Sequence, residues 1–123
     1  MAATGSSPGF RVRRVYDPPA VGDGVRVLVD RLWPRGLSKE RAAVDEWPKD
    51  LTPSNELRTW YHAHPDQYAD FAARYRTELT APPAEPPAQH LRALARTTTV
   101  TLLTAVKDPA HSHVPVLLAH LQP

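Results

Sequence analysis

The sequence predicts an α/β fold: a single compact domain in which a small sheet of three or four strands is flanked by helices. Three observations carry that reading. Two runs rich in β-branched residues, 25–30 (with Val25, Val27, Leu28 and Val29) and 98–106, have the character of strands in a sheet interior. Two long segments with helical spacing lie between them, which permits a crossover between parallel neighbours. Both runs end abruptly in charge, Asp30-Arg31 in one and Lys107-Asp108 in the other. At 123 residues the chain buries roughly two thirds of its unfolded surface, enough for one domain.

Residues 1–9 read as a disordered tail and residues 10–123 as the domain. From Phe10 to Tyr16 the apolar residues Phe10, Val12, Val15 and Tyr16 are interleaved with Arg11, Arg13 and Arg14, which predicts a half-exposed edge strand. Asp17-Pro18-Pro19 ends it, and Gly22-Asp23-Gly24 turns the chain into the strand at 25–30. Residues 37–43 predict a short helix with Ser38 as its N-cap, and Val44 to Trp47 a short further strand closed by Pro48. Thr52-Pro53-Ser54-Asn55-Glu56 is a helix start, and Leu57, Trp60 and Tyr61 share one face of that helix. Pro65 opens a longer helix to about Thr80, whose core stripe is Tyr68, Phe71, Ala72, Tyr75 and Leu79. The proline-rich residues 81–87 predict a stiff polyproline-like spacer. It joins two pieces of one core, because neither piece could bury a core alone. A helix over about 88–96, the strand at 98–106 and a final helix carrying Val114, Val116, Leu117, Leu118 and Leu121 complete the chain.

Composition narrows the function. Cysteine is absent, which excludes disulfides, a thiolate nucleophile and any Cys-ligated metal site. No window approaches the ~18 to 20 apolar residues of a membrane span. The first ten residues lack the basic start and apolar core of a secretory signal, so a cytoplasmic protein without a membrane partner is expected. Fifteen Lys and Arg against thirteen Asp and Glu leave a net charge of +2, slight support for a nucleic-acid partner.

In open α/β sheets, ligands bind outside the carboxyl ends of the strands, which points to the segment Asp30-Arg31-Leu32-Trp33-Pro34-Arg35-Gly36. If the two best strands are parallel neighbours, Lys107, Asp108, His111, Ser112 and His113 meet it at one rim. Arg31, Arg35 and Lys107 suit a bidentate or point-charge hold on an anion, and Trp33 can wall the pocket. Ser112 and His113 are further candidates to touch a ligand. Asp30 or Asp108 can serve as general base and His111 as acid or base near neutral pH. The same charges could instead pair among themselves, Asp30 with Arg35 or Lys107, and merely pin loops.

At this point the residues become recognisable. The stretch VDRLWPRG at 29–36, PSNELR at 53–58, FAARYRTEL at 71–79 and VTLLTAVKD at 100–108 with His111 resemble the DUF488 family, in its small YeaO-like branch. The resemblance covers about residues 11 to 121 and implies a compact α/β fold in a cytoplasmic bacterial protein. It implies no reaction. Members often carry Asn where this chain has Ser112, more distant relatives look to carry Cys there, and the branch's His-Asp-Pro appears here as Ala63-His64-Pro65.

Two alternating strings, His62-x-His64-x-Asp66 and His111-x-His113, could chelate a divalent metal, but neither matches a known metal motif and no metal site is assigned. No P-loop, GxGxxG or GxSxG motif assigns a cofactor. Two functional readings fit these residues. One is a small enzyme whose anion pocket, at the carboxyl ends of strands 25–30 and 98–106, acts on a phosphorylated or nucleotide-like ligand. The other is a non-catalytic module that binds nucleic acid or a protein through an Arg-rich face built on Arg11, Arg13 and Arg14.

Overall fold

Side-chain parity in three strands decides how this chain folds. The computed structural model describes residues 8–122 and contains β1 (Gly9–Arg14), β2 (Val25–Leu28) and β3 (Thr99–Thr104). They form a parallel sheet in the order β1-β3-β2, with Val12 and Val27 both in register with Leu102. Phe10, Val12, Val25, Val27, Val100 and Leu102 point to one face, as the period of two requires. Four helices contribute to the core on that face: α2 (Asn55–Ala63), α3 (Tyr68–Leu79), α4 (Glu85–Leu94) and α5 (Val114–Leu121). On the opposite face Leu28, Leu103, Val15 and Ala42 form a smaller cluster with Trp33, Leu37 and Trp47, covered by the short helix α1 (Lys39–Ala42). The predicted α/β class holds, with a sheet of three strands.

The central strand was the strongest in the sequence, and all six of its residues are buried. The edge position predicted for β1 also holds. Gly9 already belongs to β1, while residues 1–7 of the predicted tail lie outside the described residues. The predicted strand at 44–47 reduces to a single bridge, Val27 to Glu46, at the free side of β2. The polyproline spacer is a correction. Pro82–Ala84 make a 3-10 turn that leads straight into α4, with Pro86 and Pro87 in its first turn. The first turn of a helix has no intrahelical use for its N–H groups, so prolines there cost nothing in hydrogen bonding.

Arg26 is the residue that the apolar reading of β2 passed over. It is 4% exposed, and its guanidinium reaches the carbonyls of Ala42 and Ala43 at the end of α1 at 2.9 and 3.1 Å. Its third contact is Asp23, which also receives Arg13 at 2.9 and 3.0 Å. Gly24 makes this corner possible. Its φ of +61° suits glycine, and a Cβ there would collide with the carbonyl of Thr99.

Candidate functional site

Because β2 and β3 are parallel neighbours, their charged ends emerge at one rim. Val29 still donates to Leu103 O at 3.0 Å, and the chain leaves the sheet at Asp30. The Asp30 carboxylate is fully engaged there. Its Oδ1 accepts from Thr104 Oγ1 at 2.7 Å, and its Oδ2 accepts from the Ala105 amide at 2.8 Å. His113 Nε2 lies 3.2 Å from Oδ1 and 2.8 Å from the carbonyl of Val29. Both neighbours are acceptors, so this nitrogen carries the hydrogen. Burial alone would raise the Asp30 pKa, but the His113, Ala105 and Thr104 hydrogen bonds outweigh it and hold the carboxyl below its usual range. The indole of Trp47 donates to the Asp30 carbonyl at 2.7 Å. Asp30 is therefore built as a stitch between two strand ends.

Beyond that stitch opens a cleft of about 440 Å³, the scale of a small-ligand site. Asp30, Arg31, Trp33, Arg35, Asp108, His111, Ser112 and His113 all line it, as the sequence expected of a shared rim. Lys107 is exposed and does not line it. Arg31 is steered by its Nε bond to Pro53 O at 2.9 Å. The loop over residues 31–36 crosses the end of the sheet to the chain just beyond β1, where Tyr16 donates to the Arg35 carbonyl at 3.3 Å. The Arg35 guanidinium has no partner among the described residues. Trp33 donates its indole N–H to Leu37 O at 2.7 Å and packs edge-on against Trp47.

Sequence reasoning missed the contribution of α2. Arg58, Tyr61 and His62 line the cleft together, and their i, i+3, i+4 spacing was the available signal. Ser54 caps this helix by accepting from Leu57 N at 3.1 Å, and Glu78 of α3 receives both the Ser54 amide and hydroxyl, at 2.8 and 2.6 Å. The far end of α2 is clipped to the 105–113 loop through Tyr61, which donates to the His111 carbonyl at 3.0 Å. Desolvation, with the nearby charge of Asp108, raises the Tyr61 pKa, so its hydroxyl stays a donor at neutral pH. Asp108 and His111 form an exposed pair, Oδ2 to Nδ1, at 2.8 Å. The Ser112 hydroxyl donates to Pro109 O at 2.7 Å and accepts from Val114 N at 3.1 Å, fixing the start of α5.

The other candidates resolve differently. No group of three or more His, Asp or Glu side chains converges to hold a metal among the described residues. His64 stacks on Trp60 and bonds its carbonyl at 2.8 Å, while His62 faces the cleft. His111 and His113 serve different carboxylates, Asp108 and Asp30. The Arg-rich face is half-buried, and each of its arginines makes an internal contact. Arg11 and Arg13 surround the buried Asp23, and Arg14 bonds the Ala105 carbonyl at 3.0 Å. No described helix is long and apolar enough to cross a membrane.

A parallel sheet with an arginine-lined cleft at its carboxyl rim defines a small α/β domain. The chain belongs to the DUF488 family: a family model described as the inactive DUF488-N3 subclade matches residues 9–123. It is similar to the uncharacterised protein Rv3073c of Mycobacterium tuberculosis (strain H37Rv), 47% identical over 109 residues that cover 87% of this chain and 88% of that one. It is also similar to the uncharacterised protein YeaO of Escherichia coli (strain K12), 44% identical over 108 residues that cover 88% and 92% of the two chains. The YeaO-like resemblance of the motifs is thereby established. No solved structure matches.

Proposed function

We propose that this protein holds a small phosphorylated or nucleotide-like anion in the strand-end cleft, as a binding protein and not as an enzyme. The observation that carries this reading is the unpaired Arg35 guanidinium, which lines the cleft together with Arg31 and Arg58. Three guanidiniums supply donors only, in the fork geometry that phosphate oxygens match. Of the two carboxylates in the cleft, Asp30 accepts from three donors, and Asp108 has one oxygen beside His111.

Catalytic machinery is sparse by comparison. Asp30 faces only donors and is not free to act as a base. The Ser112 hydroxyl is held at both its donor and its acceptor side. This agrees with the description of the matched subclade as inactive. A second reading, turnover, rests on the Asp108–His111 pair, an orienting carboxylate and an imidazole at the cleft wall. Binding of nucleic acid through Arg11, Arg13 and Arg14 has less support, because those side chains already serve Asp23 and Ala105.

Thermal-shift titrations of wild type and Arg35→Ala against inorganic phosphate, nucleotides and short oligonucleotides test the proposal. A small phosphate compound should stabilise wild type and leave the variant unmoved. At about 100 times the dissociation constant the gain is worth roughly 2.7 kcal/mol. Equal responses in both proteins, or silence from every small anion, would overturn it.

A further inference from the structure

We infer that the cleft reads a phosphate ester carrying a vicinal diol, with the phosphate at the arginines and the diol at the Asp108 carboxylate, which His111 orients. The inference rests on the anion-binding reading above and names its ligand class. Its basis is a division of hydrogen-bonding character within one cavity. Arg31, Arg35 and Arg58 are donors without acceptors, and Arg35 has no partner among the described residues.

Asp108 presents the opposite character. Asp108 Oδ2 lies 2.8 Å from Nδ1 of His111, which orients the carboxylate. Oδ1 of Asp108 has no partner among the described residues, and the side chain is 66% exposed. A phosphate would be repelled there. The two oxygens of one carboxylate suit two adjacent hydroxyls, as an acidic residue grips ribose in dinucleotide sites. The loop that carries this pair is held in place by Tyr61 and Tyr68, which donate to the carbonyls of His111 and Ser112 at 3.0 and 2.8 Å. The backbone of this loop is thus held before any ligand arrives, which lowers the ordering cost of binding.

Ribose-type diol phosphates come from two sources, free sugar phosphates and ribonucleotides. Isothermal titration of the full chain with inorganic phosphate, ribose 5-phosphate, adenosine 5′-monophosphate and 2′-deoxyadenosine 5′-monophosphate separates them. The expected result is binding of the ribonucleotide about tenfold or more tighter than of its deoxy analogue. Asp108→Asn should erase that preference while leaving inorganic phosphate binding within about twofold of wild type, since the phosphate end is unaltered. Both side chains of the pair are exposed, so the variant should fold, and Lys107→Ala, outside the cleft, serves as the silent control. Equal affinity for the ribo and deoxy forms, with both lost in Arg35→Ala, would overturn the diol end and leave the anion cleft standing. Absence of any phosphate binding to wild type would overturn both. Ribose 5-phosphate matching the nucleotide would assign the ligand to the sugar phosphates, and weaker binding of it would assign a nucleotide.

Discussion

Asp30 joins stability to pH through a single side chain. Its folded-state pKa lies below the ordinary value because three hydrogen bonds favour the carboxylate over the opposing effect of burial. Between that depressed value and the unfolded value near ~3.9, the unfolded chain binds more protons than the folded one, so unfolding free energy rises with pH. The contribution is fully present above ~3.9 and is lost as pH falls through the folded pKa. Asp23, held low by Ala20, Arg26 and Arg13 against its own burial, acts with the same sign. Asp30→Asn should cost about 2 to 3 kcal/mol at neutral pH, because an amide nitrogen must then face a donor. Urea midpoints measured from pH 7 down to 3 should fall less steeply in the variant than in wild type. Parallel curves would show that Asp30 does not carry the acid sensitivity.

At the scale of elements, α2 links the core to the cleft, and Ser54 is where that link starts. Ser54→Ala removes the cap on the Leu57 amide and one of two bonds to Glu78, a loss of about 1 kcal/mol. Since α2 also carries Arg58, Tyr61 and His62, the variant should bind the cleft anion more weakly than its stability loss alone explains. Titration at a temperature where both proteins are fully folded checks this, and unchanged affinity would uncouple the cap from the site. The start of α2 within residues 52–56 was legible in the sequence, as were β3, α5 and the Tyr68–Leu79 stripe, because each announces itself within a few residues. The cleft face of α2 was not, because its direction is set by packing against α3 and the 105–113 loop, far away in sequence. Asp30 was legible as a residue of the strand-end rim, yet its engagement by Thr104 and Ala105 depends on sheet register. Arg26 defeated the apolar pattern because its charge is answered by Asp23 and the end of α1. The prolines of α4 misled through composition, since seven residues of spacer and a helix's first turn look alike.

For the molecule as a whole, the order β1-β3-β2 places the last strand to be synthesised between the first two. Residues up to Thr80 contain β1, β2, α2 and α3, but β1 and β2 do not pair with each other, and each has its ladder only with β3. The apolar faces of Val12 and Val27 therefore stay open until Val100 and Leu102 arrive with α4 and α5. Strands without a partner leave backbone groups to water and bury no face, so the fragment has no core of its own. A chain truncated after Thr80 should show no cooperative thermal transition and little dispersion in its amide proton spectrum. In the full chain, the amides of Val100 to Leu103 should exchange only through global unfolding, because β3 is paired on both sides and fully buried. The cleft shares that dependence. Asp30 comes from the early half and its partners Thr104, Ala105 and His113 from the late half, so the site cannot assemble before the sheet does. A folded 1–80 fragment that still bound phosphate would break this coupling and detach the cleft from the sheet order.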